Sequence, residues 1–199
     1  MQNLVPRKGF KGRNFSRIMG IQMKIQIVEN KDLTKNQKKT INKARVAEWG
    51  IEEKKRISKD YEPETLWFFV KKNRTVVSLG AIRPLEIDYM SKTYSIGGIC
   101  SVISIVKNKG YGSMLIAGMI KYSKDSGKTI LGFTMQKEFF KLAGLKTEEE
   151  FIQKFIYMKP SGEQIYDSRG DGIYYQGKDK FISKVIKSSK PVYIGVPHW

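Results

Sequence analysis

An apolar run, Gly97-Gly98-Ile99-Cys100-Ser101-Val102-Ile103-Ser104-Ile105-Val106, breaks on Lys107-Asn108-Lys109-Gly110-Tyr111-Gly112 and restarts as a helix-forming stretch from Ser113. A strand that feeds a helix through such a turn leaves the first backbone N–H groups of the helix without partners. They converge on one spot, and the helix dipole adds partial positive charge there, which suits a phosphate. Glycines at 110 and 112 remove the Cβ atoms that would hold a ligand off the backbone. Two familiar phosphate motifs do not fit. The dinucleotide fingerprint needs a third glycine and an acidic residue about 20 positions on, neither of which is correctly placed. The nucleotide-triphosphate loop needs a lysine before its final Ser or Thr, and here Gly112 meets Ser113 directly. Taken alone, the turn serves equally well as the local geometry of a strand-to-helix connection.

Other reactive residue types are few. The lone cysteine, Cys100, excludes a disulfide framework within the chain, and with the single histidine, His198, it gives no structural zinc site; no metal is expected. Cys100 sits in a buried strand with no histidine nearby in sequence, so it reads as a small core residue rather than a nucleophile. Lys137 and Lys141 share a helix face, which is either solvated or available to an anion. Near the C-terminus, Asp167-Ser168-Arg169-Gly170-Asp171-Gly172 reads as a loop, and the chain ends Pro197-His198-Trp199. Asp167, Asp171 and the Trp199 carboxylate are candidates to hold a cationic amine; Asp and Gly in such a stretch also simply make turns.

Those residues need a scaffold. Lys24-Ile25-Gln26-Ile27 alternates as a half-buried strand should, and Thr34 caps a helix to about Trp49 with Ile41, Ala44, Ala47 and Trp49 near one face. A charged segment, 52–60, predicts a second short helix. Leu66–Val70 and Thr75–Ile82 read as strands joined by the polar hairpin Lys71-Lys72-Asn73-Arg74. The core strand runs from Tyr94 to Val106, and its helix from Gly110 to about Ser126. A strand at 128–134, a helix from Gln136 to Ala143 closed by Gly144, and strands at 173–175 and 192–196 follow. Trp67, Phe68 and Phe69 read as core. The order β-α-α-β-β-β-α-β-α-β(-β) predicts an α/β (α+β) domain with a mixed, mostly antiparallel sheet flanked by helices.

With 199 residues, 40% hydrophobic and 12% aromatic, the chain is long enough for one domain with a full core. Residues 1–21 carry Arg7, Lys8, Lys11, Arg13 and Arg17 and no acid, and read as a flexible basic arm; poor amphipathicity argues against a targeting helix. Residues 22–199 form the single domain. The formal net charge of +18 comes mostly from lysine. Lysine is the less diagnostic base for nucleic-acid reading, and the charge fits solvated faces together with attraction of polyphosphate ligands. No apolar stretch approaches bilayer-spanning length, and the expected compartment is the cytoplasm.

The element order, with the glycine turn after the fourth predicted strand, resembles the GCN5-related N-acetyltransferase (GNAT) superfamily over about 23–146. The family's turn is Arg/Gln-x-x-Gly-x-Gly/Ala, matched by Lys107 to Gly112, with Val102 at the usual valine position five residues before the basic one. A second hallmark, an aromatic pair followed by three residues and Gly-apolar, is matched by Phe139-Phe140-Lys141-Leu142-Ala143-Gly144-Leu145. The resemblance implies an N-acetyltransferase that moves an acetyl group from acetyl-CoA to a primary amine of a small molecule or peptide by direct attack. It implies that the pyrophosphate lies on Asn108, Lys109, Gly110, Tyr111, Gly112 and Ser113, helped by Lys107. The pantetheine arm would lie along Cys100, Ser101 and Val102, with Phe140 near the sulfur. Where the family often has a proton-donating tyrosine this chain has Phe140, and where many members have a glutamate it has Gly98. The layout of the C-terminal segment, about 147–199, is similar to that of aminoglycoside 2′-N-acetyltransferases, which points to the acceptor side. Two other readings stay beside this one: a GNAT-fold protein that binds CoA without catalysing, and a basic nucleic-acid-associated module, which the few arginines and missing binding motifs disfavour.

Overall fold

Strand β3 (Leu66–Lys72) shows how the sequence builds the sheet. Its alternation places Phe68 and Val70 in one core cluster and Trp67 and Phe69 in another, and all four are fully buried. A strand covered on both faces is a central strand. The structure, a computed structural model, describes residues 15–18, 21–159 and 161–195. Around β3 stand β1 (Phe15–Ile18), β2 (Ile21–Glu29), β4 (Thr75–Tyr89), β5 (Lys92–Ser104), β6 (Ile130–Thr134), β7 (Lys146–Glu148) and β10 (Asp171–Tyr175). They form one eight-stranded sheet in the order β1-β2-β3-β4-β5-β6-β10-β7. Only the β5–β6 pair is parallel, so the sheet is mixed and mostly antiparallel, as the sequence predicts.

Helices cover both faces. On one, α3 (Tyr111–Ser126) buries Leu115, Ile116 and Met119 against Phe68, Val70, Val77 and Ile99. On the other, α1 (Lys35–Trp49) and the short α2 (Ile57–Asp60) bury Ile41, Ala44 and Ile57 against Trp67, Phe69, Leu79 and Ile103. Thr34 caps α1 through a capping box: its Oγ1 accepts from the Gln37 N–H at 3.2 Å, and Gln37 Oε1 accepts from the Thr34 N–H at 2.9 Å. Gly144, at φ +102°, takes the conformation that stops α4 (Lys137–Leu142).

Four expectations are corrected. Strand β4 does not stop at Ile82 but runs through Pro84 to Tyr89. Its pairing with β3 ends at Ile82, so proline meets no ladder on that side. The extended β4–β5 hairpin, closed by Met90 and Ser91 at φ 50° and 60°, supports a second layer that the sequence pattern does not announce. That layer is a sheet of β8 (Phe155–Met158), β9 (Gln164–Tyr166) and β11 (Val192–Ile194) with helix α5 (Phe181–Lys187), packed on Leu85, Ile87, Tyr94 and Ile96. On α1, Ala47 and Trp49 are exposed, and the buried neighbour of Ala44 is Arg45. Finally, part of the segment read as an arm is a strand: β1 pairs with β2, Phe15 opposite Met23 and Ile18 opposite Ile21.

Candidate active site

The β5–α3 turn has the geometry of an anion cradle. Asn108 and Gly110 adopt left-handed conformations, φ 57° and 74°, which swing the chain into α3. The first N–H of the helix with an internal acceptor is that of Met114, on the Gly110 carbonyl at 3.0 Å. Among the described residues, the N–H groups of Tyr111, Gly112 and Ser113 have no backbone acceptor outside the helix, and Gly110 makes no side-chain cap. A Cβ built on Gly110 meets nothing within 4 Å. The residues present therefore fit a phosphate approaching the backbone directly. Gly112 serves packing instead. A Cβ there would stand 2.8 Å from Phe139 Cζ, so this glycine lets α4 pack on α3. Lys107 spends its ammonium on Glu48 of α1, donating to Oε1 at 2.8 Å and Oε2 at 2.6 Å. Asn108 and Lys109 are exposed.

Upstream of the turn, along β5, the sheet opens. Among the described residues, strands β5 and β6 pair only at Gly97–Ile130 and Gly98–Leu131, after which β6 stays with β10 and β5 continues alone on that side. Gly98 thus marks the point of divergence. A cleft of about 840 Å³ lies there, with Ile99, Cys100, Ser101 and Val102 of β5, Phe140 of α4 and Arg45 of α1 in its lining. The β4–β5 register slips between Leu79 and Ala81, so Ser101 and Val102 bulge opposite Gly80. Ser101 takes φ +52°, a conformation that costs a non-glycine residue about 1–2 kcal/mol. Its hydroxyl accepts from Arg45 Nη1 at 2.6 Å and lies 3.1 Å from Tyr61 Oη. Arg45 is almost fully buried and also donates through Nη2 to Glu53 Oε2 at 2.5 Å and through Nε to the Glu53 carbonyl at 2.9 Å. Behind Tyr61, Arg83 and Glu62 form a two-bond pair, at 3.0 and 2.5 Å. Burial alone would raise the Glu62 carboxyl, but the hydrogen bonds and charge of Arg83 outweigh it and hold it below the usual range. Burial pushes the Cys100 thiol up to about 12, with the nearby arginine charges opposing, so Cys100 carries its proton and offers no thiolate.

The structure brings Cys100, Ser101, Val102 and Phe140 together in this lining, with the Lys107–Ser113 turn at the end of β5. It does not bring Asp167 or Asp171, the described acids of the predicted tail, into that lining. Asp171 accepts from the Glu150 N–H at 3.0 Å and pairs with Lys137 at 3.4 Å, so it ties β10 to the β7 and α4 region. Asp167 is half-buried and outside the lining. Trp199 and His198 lie outside the described residues. Lys137 is likewise engaged, at 2.7 Å from Glu149. The carboxylates that do line the cleft, Glu48, Glu53 and Asp60, come from α1, α2 and their connection. Neither they nor Arg45 and Tyr61 stand out in the sequence, because charged residues on short helices look like solvated faces.

No protein-family model matches the sequence, and no curated protein does. Solved structures do match the fold. ElaA of Escherichia coli superimposes with a TM-score of 0.54 at 15% identity, covering 77% of this chain and 99% of that one. An acyl-CoA N-acyltransferase from Pseudomonas aeruginosa gives 0.53 at 11% identity, with 76% and 98% covered. A GCN5-related N-acetyltransferase from Anabaena variabilis gives 0.52 at 11% identity over 63% of this chain, which spans 32% of that one. The chain has the GNAT fold. Among the described residues no group of three or more His, Cys, Asp or Glu side chains could hold a metal ion. No helix among them is long and apolar enough to cross a membrane.

Proposed function

We propose that this protein is an acyl-CoA-dependent N-acetyltransferase that carries an acetyl group from acetyl-CoA to a primary amine by direct attack. The observation that carries the reading is the junction of two unsatisfied backbone edges. The N–H groups of Tyr111, Gly112 and Ser113 open beside β5, whose Ile99–Ser104 stretch has no ladder partner on the β6 side. The first suits the pyrophosphate of CoA; the second suits an extended pantetheine arm adding as a strand along Cys100, Ser101 and Val102. The acceptor then enters over Glu48, Glu53 and Asp60, where a cationic amine competes with the partners these carboxylates already hold, Lys107, Arg45 and Arg56. Residues 22–199 act as one catalytic unit in this reading.

A second reading, CoA binding without catalysis, draws on Phe140 and Gly98, which lack the usual acid and base. Calorimetric titration with acetyl-CoA tests the shared part. Thiol release with a panel of primary amines separates the two. Absence of acetyl-CoA binding, together with salt-steep binding of oligonucleotides, would replace both with the nucleic-acid module.

A further inference from the structure

With phenylalanine at 140, α4 offers no proton to a departing thiolate. The same cleft lining holds two hydroxyls, Tyr61 Oη and Ser101 Oγ, 3.1 Å apart. Arg45 Nη1 donates to both, at 3.1 and 2.6 Å. A guanidinium gives protons and accepts none, so it fills one acceptor position on each oxygen and takes up neither hydroxyl proton. Two hydroxyl protons then remain to be placed. One lies between the oxygens. The other has only the weakly accepting Cys100 sulfur beside Ser101 and the cleft that both residues line.

The conformation of Ser101 points the same way. At φ +52° in the bulge, glycine would adopt this backbone at less cost, so local geometry does not call for serine. The serine hydroxyl and the buried Arg45–Tyr61 contacts belong together as a unit. Burial raises the Tyr61 phenol above its ordinary range and keeps it protonated.

We propose that the Ser101–Tyr61 hydroxyl pair, polarised by Arg45, is the proton donor to the leaving thiolate of CoA; this rests on the acetyltransferase reading above. The amine nitrogen forms its bond to the acyl carbon, the carbon–sulfur bond breaks, and its electron pair leaves on sulfur. Ser101 gives its proton to that sulfur and regains one from Tyr61. The proton shed by the acylated nitrogen returns through water to Tyr61, so one proton has moved from nitrogen to sulfur and the pair is unchanged. The Arg45 charge stabilises the oxygens while they are short of a proton.

The test uses full-length protein, acetyl-CoA and hydroxylamine as the acceptor probe, backed by a panel of primary amines, with single-turnover thiol release as the readout. Ser101→Gly removes the hydroxyl and suits the bulge. Tyr61→Phe keeps the ring that packs 5.1 Å from Trp67. Each variant is expected to slow thiol release by about 100-fold, the scale of one general acid, with acetyl-CoA affinity within about twofold of wild type. The double variant should be no more than about threefold slower than either single one, and the solvent deuterium isotope effect should fall towards one. Rates within about threefold of wild type in both variants, with acetyl-CoA still bound, would overturn the proposal while leaving the transferase reading intact. Loss of acetyl-CoA binding in both would assign the pair to the shape of the site and also overturn it. A wild-type protein that releases no thiol with any amine overturns the transferase reading and the donor with it.

Discussion

Placing aspartate at Gly110 separates the anion-binding role of the turn from its structural role. The fold should accept the change. A Cβ at 110 meets nothing within 4 Å, and φ +74° is a conformation that Asp and Asn adopt more readily than other side chains. A carboxylate at the start of α3 also interacts favourably with the helix dipole, by about 0.3–1 kcal/mol. That gain offsets part of the left-handed strain of about 1–2 kcal/mol, so the melting temperature should fall by only several degrees. Ligand binding should suffer badly. The carboxylate would stand beside the N–H groups of Tyr111, Gly112 and Ser113. At about 4 Å each phosphate charge is repelled by roughly 1 kcal/mol in water and about 4 kcal/mol near a protein surface. Two charges on a pyrophosphate give at least about 2 kcal/mol, or roughly a 30-fold loss of affinity. Gly110→Asn has the same shape without the charge and should retain most of the affinity. Calorimetric titration of the three proteins with acetyl-CoA decides. Aspartate binding within threefold of wild type, or equal losses in both variants, would show that charge at this turn does not govern binding.

The neighbouring glycine should behave differently: Gly112→Ala meets the tip of Phe139, 2.8 Å from the new Cβ, a partly exposed ring that can turn aside. A urea melt should therefore show a loss of no more than about 1 kcal/mol, and a loss above about 3 kcal/mol would show that the ring cannot move. Cys100 should resist iodoacetamide in the folded protein below about pH 10, since burial pushes its thiol up to about 12; rapid alkylation at pH 8 without unfolding would refute its protonated, enclosed state. For Glu62 the folded-state value is depressed, so its stabilisation is full above the ordinary carboxylate range and disappears as pH falls through the depressed value. Glu62→Gln should therefore cost about 1–2 kcal/mol at pH 7 and progressively less as the pH falls through the depressed value, and a penalty that grows towards acid would show that Glu62 is not held below its ordinary range.

What was legible in the sequence was local. The capping box at Thr34, the alternation in β2, the apolar β3 and the Lys107–Gly112 turn each declare themselves within a few residues, because capping, side-chain period and glycine conformation are short-range rules. Order and spacing of such pieces sufficed for the GNAT resemblance. Elements that depend on distant support were not legible. Strand β4 continues past Pro84 because β3 has ended beside it, and the small second sheet exists only where the β4–β5 hairpin offers Leu85, Ile87, Tyr94 and Ile96 to cover. Likewise, the acidic tail promised an amine site, but Asp171 is held by Glu150 and Lys137. Arg45 shows the reason most directly. In the sequence it is one more cation on a helix, whereas in the fold it is buried against Glu53, Tyr61 and Ser101. Ser101 is 56 positions away. Apolar burial leaves a periodic imprint on the chain; burial of a charge leaves none, because it depends on partners that only the tertiary structure brings within hydrogen-bonding distance.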